Sequence, residues 1–273
     1  LYPEDIFTND GKTGKEHKKM ARDRILIWLE QRWLYGFSEW YSNTYYLEDI
    51  APLSNLIDFA NDEEIRVKAE IIMDLLLHDL ATQSLKGTFV STSGRAYERG
   101  KKSGLSNSMR SVSKAIWGYE LGDDRMGMDL NFICNNRYKV PGVIKEIGYD
   151  INERVIKASN GLDVCELKEV GLIGQKDEQI MMQLAMSSFT NPEVFHNTVK
   201  YVNRCHMFRN EFLNALKRVN LSLLKGLHLL PVISRVLNPV TNGTAIQRAN
   251  TYTYKNRYYM LATAQSYHPG EFG

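Results

Sequence analysis

The N-terminal third of the chain contains three segments whose apolar side chains recur every three to five positions, and this spacing limits the possible folds more than any other feature. It predicts helices over residues 16–34, 44–57 and 63–85. Gly36 and Gly87 are predicted to end the first and third helices, because glycine readily adopts the left-handed conformation that follows a helix. Connections this short favour helical hairpins over a parallel sheet, which needs long crossovers.

Strand-like patterns are confined to the second half of the chain. A strand pair is expected within residues 155–168, and residues 249–255 and 258–265 are predicted strands rich in Tyr and Thr. Two strands alone are marginally stable. The fold is therefore predicted to be mainly α, with a helical domain over residues 1–240. Residues 241–273 are expected to begin a β-rich, sandwich-like region that continues into a downstream β-domain of the same polypeptide.

Charge and motifs exclude several classes of function. The chain has 34 basic and 32 acidic side chains, a net charge of +2, so nucleic acid is not expected as a partner. No apolar run approaches the ~20 residues of a membrane span. The three cysteines are far apart, and neither a P-loop, a GxGxxG nor an HExxH motif occurs. Neither a cofactor nor a metal is predicted.

Residues 36–49, which join the first two predicted helices, are rich in aromatic side chains and lie where a rim is expected. A sugar ring has one apolar face and many hydroxyls, so aromatic faces beside amides and carboxylates suit it. The alternative is that these aromatics pack one hairpin against the next. The candidate site residues in this segment are Glu39, Trp40, Asn43, Tyr45, Tyr46, Glu48 and Asp49.

A second candidate segment, residues 91–99, lies in a long polar stretch rich in Gly and Ser. The guanidinium fork of Arg95 suits a carboxylate. A tyrosine beside a cation loses its proton more readily, so Tyr97 is a candidate base, and Glu98 is a further candidate contact. The alternative is a solvated loop whose charges only keep it soluble.

The two segments together carry a resemblance to a known superfamily. The sequence GFSEWYSNTYYLEDIAPL, followed about forty residues later by STSGRAY, resembles an uncharacterised bacterial group. That group is related to the six-hairpin, or (α/α) toroid, carbohydrate-active proteins, which include glycoside hydrolases and heparinase-type and alginate-type polysaccharide lyases. The resemblance covers roughly residues 20–120 and 240–273. It implies a complete or incomplete (α/α) toroid followed by a β-sandwich.

This resemblance implies a polysaccharide-active enzyme, with a lyase that cleaves uronic-acid glycans by β-elimination as the first choice. Tyr97 would be the base, and Arg95 and Asn43 would neutralise the uronate carboxylate. A glycoside hydrolase would instead use two carboxylates about 5–10 Å apart, drawn from Glu39, Glu48, Asp49 and Glu98. A non-catalytic glycan-binding or structural helical domain is the remaining alternative. Every version requires the two segments to line one groove at the same end of the helices.

Overall fold

The computed structural model describes residues 2–119, 131, 133–211, 213–241 and 245–267. The helices are α1 (Gly14–Tyr35), α2 (Tyr46–Phe59), α3 (Glu63–Thr82), α4 (Glu98–Lys102), α5 (Arg110–Trp117), α6 (Gly142–Tyr149), α7 (Asp177–Ala185), α8 (Phe195–Arg204), α9 (Ser222–Gly226) and α10 (Leu230–Thr241). The strands are β1 (Ser84–Leu85), β2 (Thr88–Phe89), β3 (Arg154–Asn160), β4 (Ala249–Lys255) and β5 (Met260–Gln265). The protein is therefore mainly helical, with a small sheet of three strands near its C-terminal end.

Helices α1 to α3 form the helical start of the fold, as the apolar spacing predicts. Gly36 follows α1 with φ +71°, a conformation that glycine adopts without strain. The Asp62 side chain accepts a hydrogen bond from the Ile65 amide (3.2 Å) and so caps the N-terminus of α3. Arg22 of α1 donates to the same carboxylate at 2.6 Å. This one aspartate therefore both starts α3 and ties it to α1.

The main hydrophobic core lies among α1, α2, α3, α5 and α6. Its apolar residues lose nearly all contact with water, which is the largest favourable contribution to folding. The fully buried members on α1 to α3 include Leu29, Ile50, Leu53, Ile57, Ile72, Leu76 and Leu80. The prediction that α3 continues to residue 85 and is ended by Gly87 is wrong. The helix ends at Thr82, and Lys86 (φ +50°) and Gly87 (φ +76°) form the tight turn between β1 and β2.

The sheet has the strand order β3-β4-β5, and both pairings are antiparallel. The two predicted C-terminal strands are confirmed. The prediction of a strand pair within residues 155–168 is wrong: a single strand there is followed by a short 3₁₀ turn, because β4 supplies its partner. Thr253 of β4 donates to the Gln83 side chain at 2.8 Å, so the sheet rests on the end of α3. The predicted domain boundary after residue 240 thus falls between strands of one sheet.

Helix α7 packs against α1. The Gln31 amide of α1 donates to the Glu178 carbonyl (2.6 Å), and Arg24 pairs with Asp177 (3.0 Å). The end of β3 also reaches α1, because the Gly161 amide donates to the Tyr35 carbonyl at 2.8 Å. The C-terminal end of α1 is therefore enclosed by α2, α7 and the sheet. None of the described helices has the length and apolar character needed to cross a bilayer.

Candidate functional site

The two candidate segments contact each other in the fold. Residues 36–49 are called the aromatic turn here, and residues 91–99 the Arg95 loop. The Gly94 amide donates to the Trp40 carbonyl (2.9 Å), and the Ser42 hydroxyl donates to the Arg95 carbonyl (3.2 Å). A Cβ atom at Gly94 would lie 2.6 Å from Trp40 Nε1, so only glycine allows the loop to approach this closely. The predicted contact between the two segments is present, but the cavity described below has no wall residue from the Arg95 loop, so a groove lined by both segments stays a prediction.

Trp40 and Tyr46 are buried, so the prediction that they lie on an exposed aromatic surface is wrong, although Tyr46 does line the cavity described below. Each is only 1% exposed and belongs to the main core. The Trp40 ring packs edge-on against Tyr267 at a centroid distance of 5.6 Å. The Tyr46 hydroxyl donates to Asp79 (3.1 Å) and accepts from the Tyr41 amide (2.9 Å). These two aromatics hold the aromatic turn onto the helices beneath it, which is the packing role that the sequence left open.

Tyr97, which is exposed, and Tyr45, which is half-buried, form the outer part of the same region. Their hydroxyl oxygens lie 2.5 Å apart, and their rings meet edge-on at 6.1 Å between centroids. The Arg95 guanidinium lies over both rings, 5.7 Å from the Tyr45 centroid and 5.6 Å from that of Tyr97. Tyr97 is 50% exposed, so its hydroxyl is open to an arriving molecule. Tyr45, Tyr97 and Arg95 are called the tyrosine pair and its arginine below.

Electrostatics separate the two phenols of this pair. The hydrogen bond from Tyr45, and next the adjoining Arg95 guanidinium, lower the pKa of Tyr97. The same hydrogen bond to Tyr97, followed by burial, raises the pKa of Tyr45. Two neighbouring groups whose pKa values are pushed apart can divide the roles of base and acid between them. Tyr97 is therefore the candidate base of the pair, and Tyr45 is the candidate acid.

A cavity of about 270 Å³ opens next to Tyr45 at the C-terminal end of α1. Four predicted site residues line it, namely Glu39, Tyr45, Tyr46 and Asp49. The wall also includes Leu184 and Ala185 at the end of α7, and Ser187 just beyond it. Burial raises the pKa of Glu39, against the opposing charge of Arg95. Burial also raises the pKa of Asp49 to about 7, against the charge of Arg32. The cavity therefore holds two carboxyl groups that retain protons more readily than usual.

Arg32 is the residue of this cavity that sequence reasoning missed. It lies in the last turn of α1, is 4% exposed and lines the cavity. An arginine in this position is ordinarily interpreted as a solvated side chain that favours the helix C-terminus. The only sequence feature that could indicate a role for Arg32 in the site is its position four residues before the aromatic turn.

The remaining predicted residues lie outside the cavity wall. The Asn43 side chain accepts a hydrogen bond from Thr44 (3.2 Å), and its carbonyl accepts from the Ser108 amide (3.2 Å). The backbone of Asn43 thus ties the aromatic turn to the segment that precedes α5, and its predicted role in neutralising a substrate charge stays a prediction. Glu48 is exposed on α2. Glu98 is exposed and pairs with Lys102 within α4.

A second, larger cavity of about 570 Å³ lies beside the sheet and the 3₁₀ turn Val164–Leu167. Two of its charged wall residues are engaged with protein groups: Arg248 forms an ion pair with Glu166 at 2.9 Å, and the Arg248 amide donates to the Asp163 carboxylate. None of its described wall residues is a buried polar group without a partner. The first cavity is therefore the better candidate site.

Across the described part of the chain, no three His, Cys, Asp or Glu side chains are grouped in a way that could hold a metal ion. No family model, curated protein or solved structure matches the chain. The candidate site is accordingly judged on its own geometry and chemistry.

Proposed function

We propose that this protein is a polysaccharide-active enzyme, a lyase that cleaves uronic-acid-containing glycans by β-elimination. The observation that supports this reaction is the tyrosine pair and its arginine: an open phenol with a lowered pKa, hydrogen-bonded to a second phenol and lying beside a guanidinium. β-Elimination needs a base for a weakly acidic C–H bond and a positive charge near the carboxylate. The neighbouring cavity offers space for the sugar that carries that carboxylate.

In the proposed reaction, the Tyr97 oxygen removes the proton from the carbon next to the uronate carboxylate. The electron pair of that C–H bond forms a carbon–carbon double bond to the adjacent ring carbon, and the bond from that carbon to the glycosidic oxygen breaks. The leaving oxygen takes a proton from Tyr45, whose pKa is raised. Arg95 is placed to stabilise negative charge on Tyr97 and on the substrate. Asn43 has no part in this scheme.

The architecture implied by the resemblance also belongs to this proposal. Helix pairs such as α2 and α3, joined only by residues 60–62, are the kind of unit from which an (α/α) toroid is built. Such a toroid would bind its polymer in a groove formed by the connections between helices, and the aromatic turn and the Arg95 loop are such connections.

The experiment is an assay of the purified protein on a panel of polyuronates and glycosaminoglycans, with ultraviolet absorbance of the new double bond as the readout. Wild-type protein is expected to form unsaturated product from at least one polymer. Tyr97→Phe is expected to lower the rate by roughly 100-fold or more. Tyr258→Phe, at a tyrosine that is 80% exposed in the turn between β4 and β5, is the matched control. The lyase proposal fails if no polymer yields unsaturated product, or if Tyr97→Phe is as active as wild type.

A specific observation favours a glycoside hydrolase as the second candidate. Glu39 and Asp49 line one cavity, and the pKa of Asp49 is raised to about 7, as suits a general acid. A hydrolase would release new reducing ends without any double bond. Asp49→Asn would abolish that activity and Tyr97→Phe would leave it nearly unchanged. Glycan binding with no turnover of either kind would identify a non-catalytic binding protein.

A further inference from the structure

The Arg32 guanidinium is a buried cation whose hydrogen-bonding groups are mostly unused. Its Nη1 reaches the Ser38 hydroxyl at 3.4 Å, and its centre lies 5.7 Å from the Trp28 ring. Nε and Nη2 are shielded from solvent and have no hydrogen-bond partner. No carboxylate of the described residues forms an ion pair with it within 4.0 Å. Unpaired buried charge is costly, so proteins retain it mainly where a partner arrives.

The cavity beside Arg32 could admit such a partner. Its volume of about 270 Å³ is slightly below the roughly 300–1,000 Å³ of sites for drug-sized molecules, so one sugar ring is the scale of ligand that suits it. Ser38 and Ser187 add polar groups to a wall that also contains the apolar Leu184 and Phe37. A planar oxyanion suits a guanidinium better than a spherical one, because two parallel hydrogen bonds can form.

We propose that this cavity binds one carboxylate group of a small sugar acid, with Arg32 as its charged partner. The choice of a sugar acid rests on the proposed function; the recognition of a carboxylate rests on Arg32 itself. The site would hold the acidic ring next to Tyr45, which lines the cavity and whose hydroxyl meets that of Tyr97. Arg32, rather than Asn43, would then be the second residue that neutralises the substrate carboxylate.

The other charged groups facing the cavity decide the pH at which a carboxylate binds. Glu39 and Asp49 line the wall, Glu48 lies nearby, and the α7 side contributes no titratable group. With both wall carboxyls ionised, the wall would be net negative and would repel an anion. Burial keeps a proton on Asp49 up to a pH of about 7. The carboxylate is therefore expected to bind more tightly below pH 7 than above it. Above pH 7, the protein is expected to take up a proton when the carboxylate binds.

The test measures binding and does not depend on turnover. Calorimetry at about pH 6 compares a hexuronate, its methyl ester, the neutral parent hexose and inorganic phosphate. The hexuronate is expected to bind at least about tenfold more tightly than the ester or the hexose, since one charge-assisted pair is worth that much. Arg32→Gln is expected to remove this preference, and Arg24→Gln, which changes a surface arginine paired with Asp177, is the control. Hexuronate binding to wild-type protein should weaken between about pH 6 and pH 8, and Asp49→Asn should remove most of that weakening.

Equal binding of the hexuronate and its methyl ester to wild-type protein would overturn the inference, and this comparison needs no variant. A folded Arg32→Gln protein that prefers the hexuronate as wild type does would also overturn it, as would tighter binding of phosphate. The proposed function can fail separately. If the hexuronate binds through Arg32 but Tyr97→Phe leaves product formation unchanged, the lyase scheme is wrong and the carboxylate site stands. If Tyr97→Phe abolishes product formation but Arg32→Gln does not change hexuronate binding, the lyase scheme stands and the carboxylate site is wrong.

Discussion

The buried and the exposed aromatic residues of the aromatic turn differ sharply, although they are neighbours in sequence. Trp40 and Tyr46 are each 1% exposed and fix the turn to the core, whereas the adjacent Tyr45 reaches outward to Tyr97. The buried hydroxyl of Tyr46 is tied to Asp79, and the outer hydroxyl of Tyr45 is tied to a second titratable phenol. The contrast teaches that the core-facing rings supply rigidity, and that rigidity lets the outward ring hold a defined position for chemistry.

The largest effect expected from this comparison is the loss of the buried anchor. Trp40→Ala should lower the free energy of unfolding by ~3–5 kcal/mol, since it leaves a large cavity and removes the surface on which Gly94 rests. Chemical denaturation measures the loss, and trypsin should cut the Arg95 loop faster in the variant. The same truncation at the exposed Tyr258 should change stability by less than about 0.5 kcal/mol. A Trp40→Ala protein within about 1 kcal/mol of wild type would show that the ring is not an anchor.

Removing one hydroxyl at a time sharpens the comparison between Tyr46 and Tyr45. Tyr46→Phe should cost ~1–3 kcal/mol, because the carboxylate of Asp79 and the amide of Tyr41 each lose their partner where water is largely excluded. Tyr45→Phe should cost less than about 0.5 kcal/mol but should reduce activity, because Tyr97 loses the hydrogen bond that lowers its pKa. Thermal unfolding and the activity assay together separate the two. If Tyr46→Phe and Tyr45→Phe lower the free energy of unfolding equally, the contrast between the buried Tyr46 and the outer Tyr45 is wrong.

The contribution of Asp79 to the pH dependence of stability tests the buried side. Burial raises the pKa of Asp79 from 3.8 to about 7, so between these values the folded protein holds a proton that the unfolded chain has lost. Stability from this group is therefore present at acidic pH, falls as pH rises towards 7, and changes no further above it. Asp79→Asn should reduce the loss between about pH 5 and pH 8 by on the order of 1–2 kcal/mol. Denaturation curves at several pH values measure it, and an unchanged slope would contradict the account.

The smallest effect is expected on the exposed side, at the rim of the Arg95 loop. Glu98 pairs only with Lys102, and both side chains are more than two-thirds exposed, so solvent screens the pair. Glu98→Gln should change neither the activity nor the free energy of unfolding beyond about 0.5 kcal/mol. Differential scanning calorimetry and the activity assay check both expectations. A marked loss of activity would mean that Glu98 belongs to the site after all.

Much of the fold could be predicted from the sequence because its signals are local. The apolar spacing of α1 to α3, the cap at Asp62 and the glycine after α1 depend on residues within one or two helical turns. The Tyr- and Thr-rich strands β4 and β5 were found for the same reason. The prediction that their partner β3 forms a local pair is wrong, because the residues of β4 with which it pairs lie about 90 to 100 positions further along the chain.

The candidate site was predicted in part, and its errors have one physical cause. Proximity of the aromatic turn to the Arg95 loop was expected, and hydrogen bonds such as Gly94 to Trp40 join them. In an irregular turn, the direction of each side chain depends on the local backbone conformation. The sequence has no periodic pattern there from which the inward-facing aromatic residues could be predicted. The role of Arg32 could not be predicted for a similar reason, since its burial comes from α2 and α7 packing around the end of α1. Burial by distant segments leaves no local pattern.

The most direct test of the account is a crystal structure of the Tyr97→Phe protein soaked with an acidic oligosaccharide rich in uronate. The account predicts that one uronate ring occupies the cavity, that its carboxylate lies within hydrogen-bond distance of the Arg32 guanidinium, and that the carbon bearing that carboxylate faces residue 97. Sugar bound elsewhere on the protein with this cavity empty, or a ring whose carboxylate points away from Arg32, would contradict it.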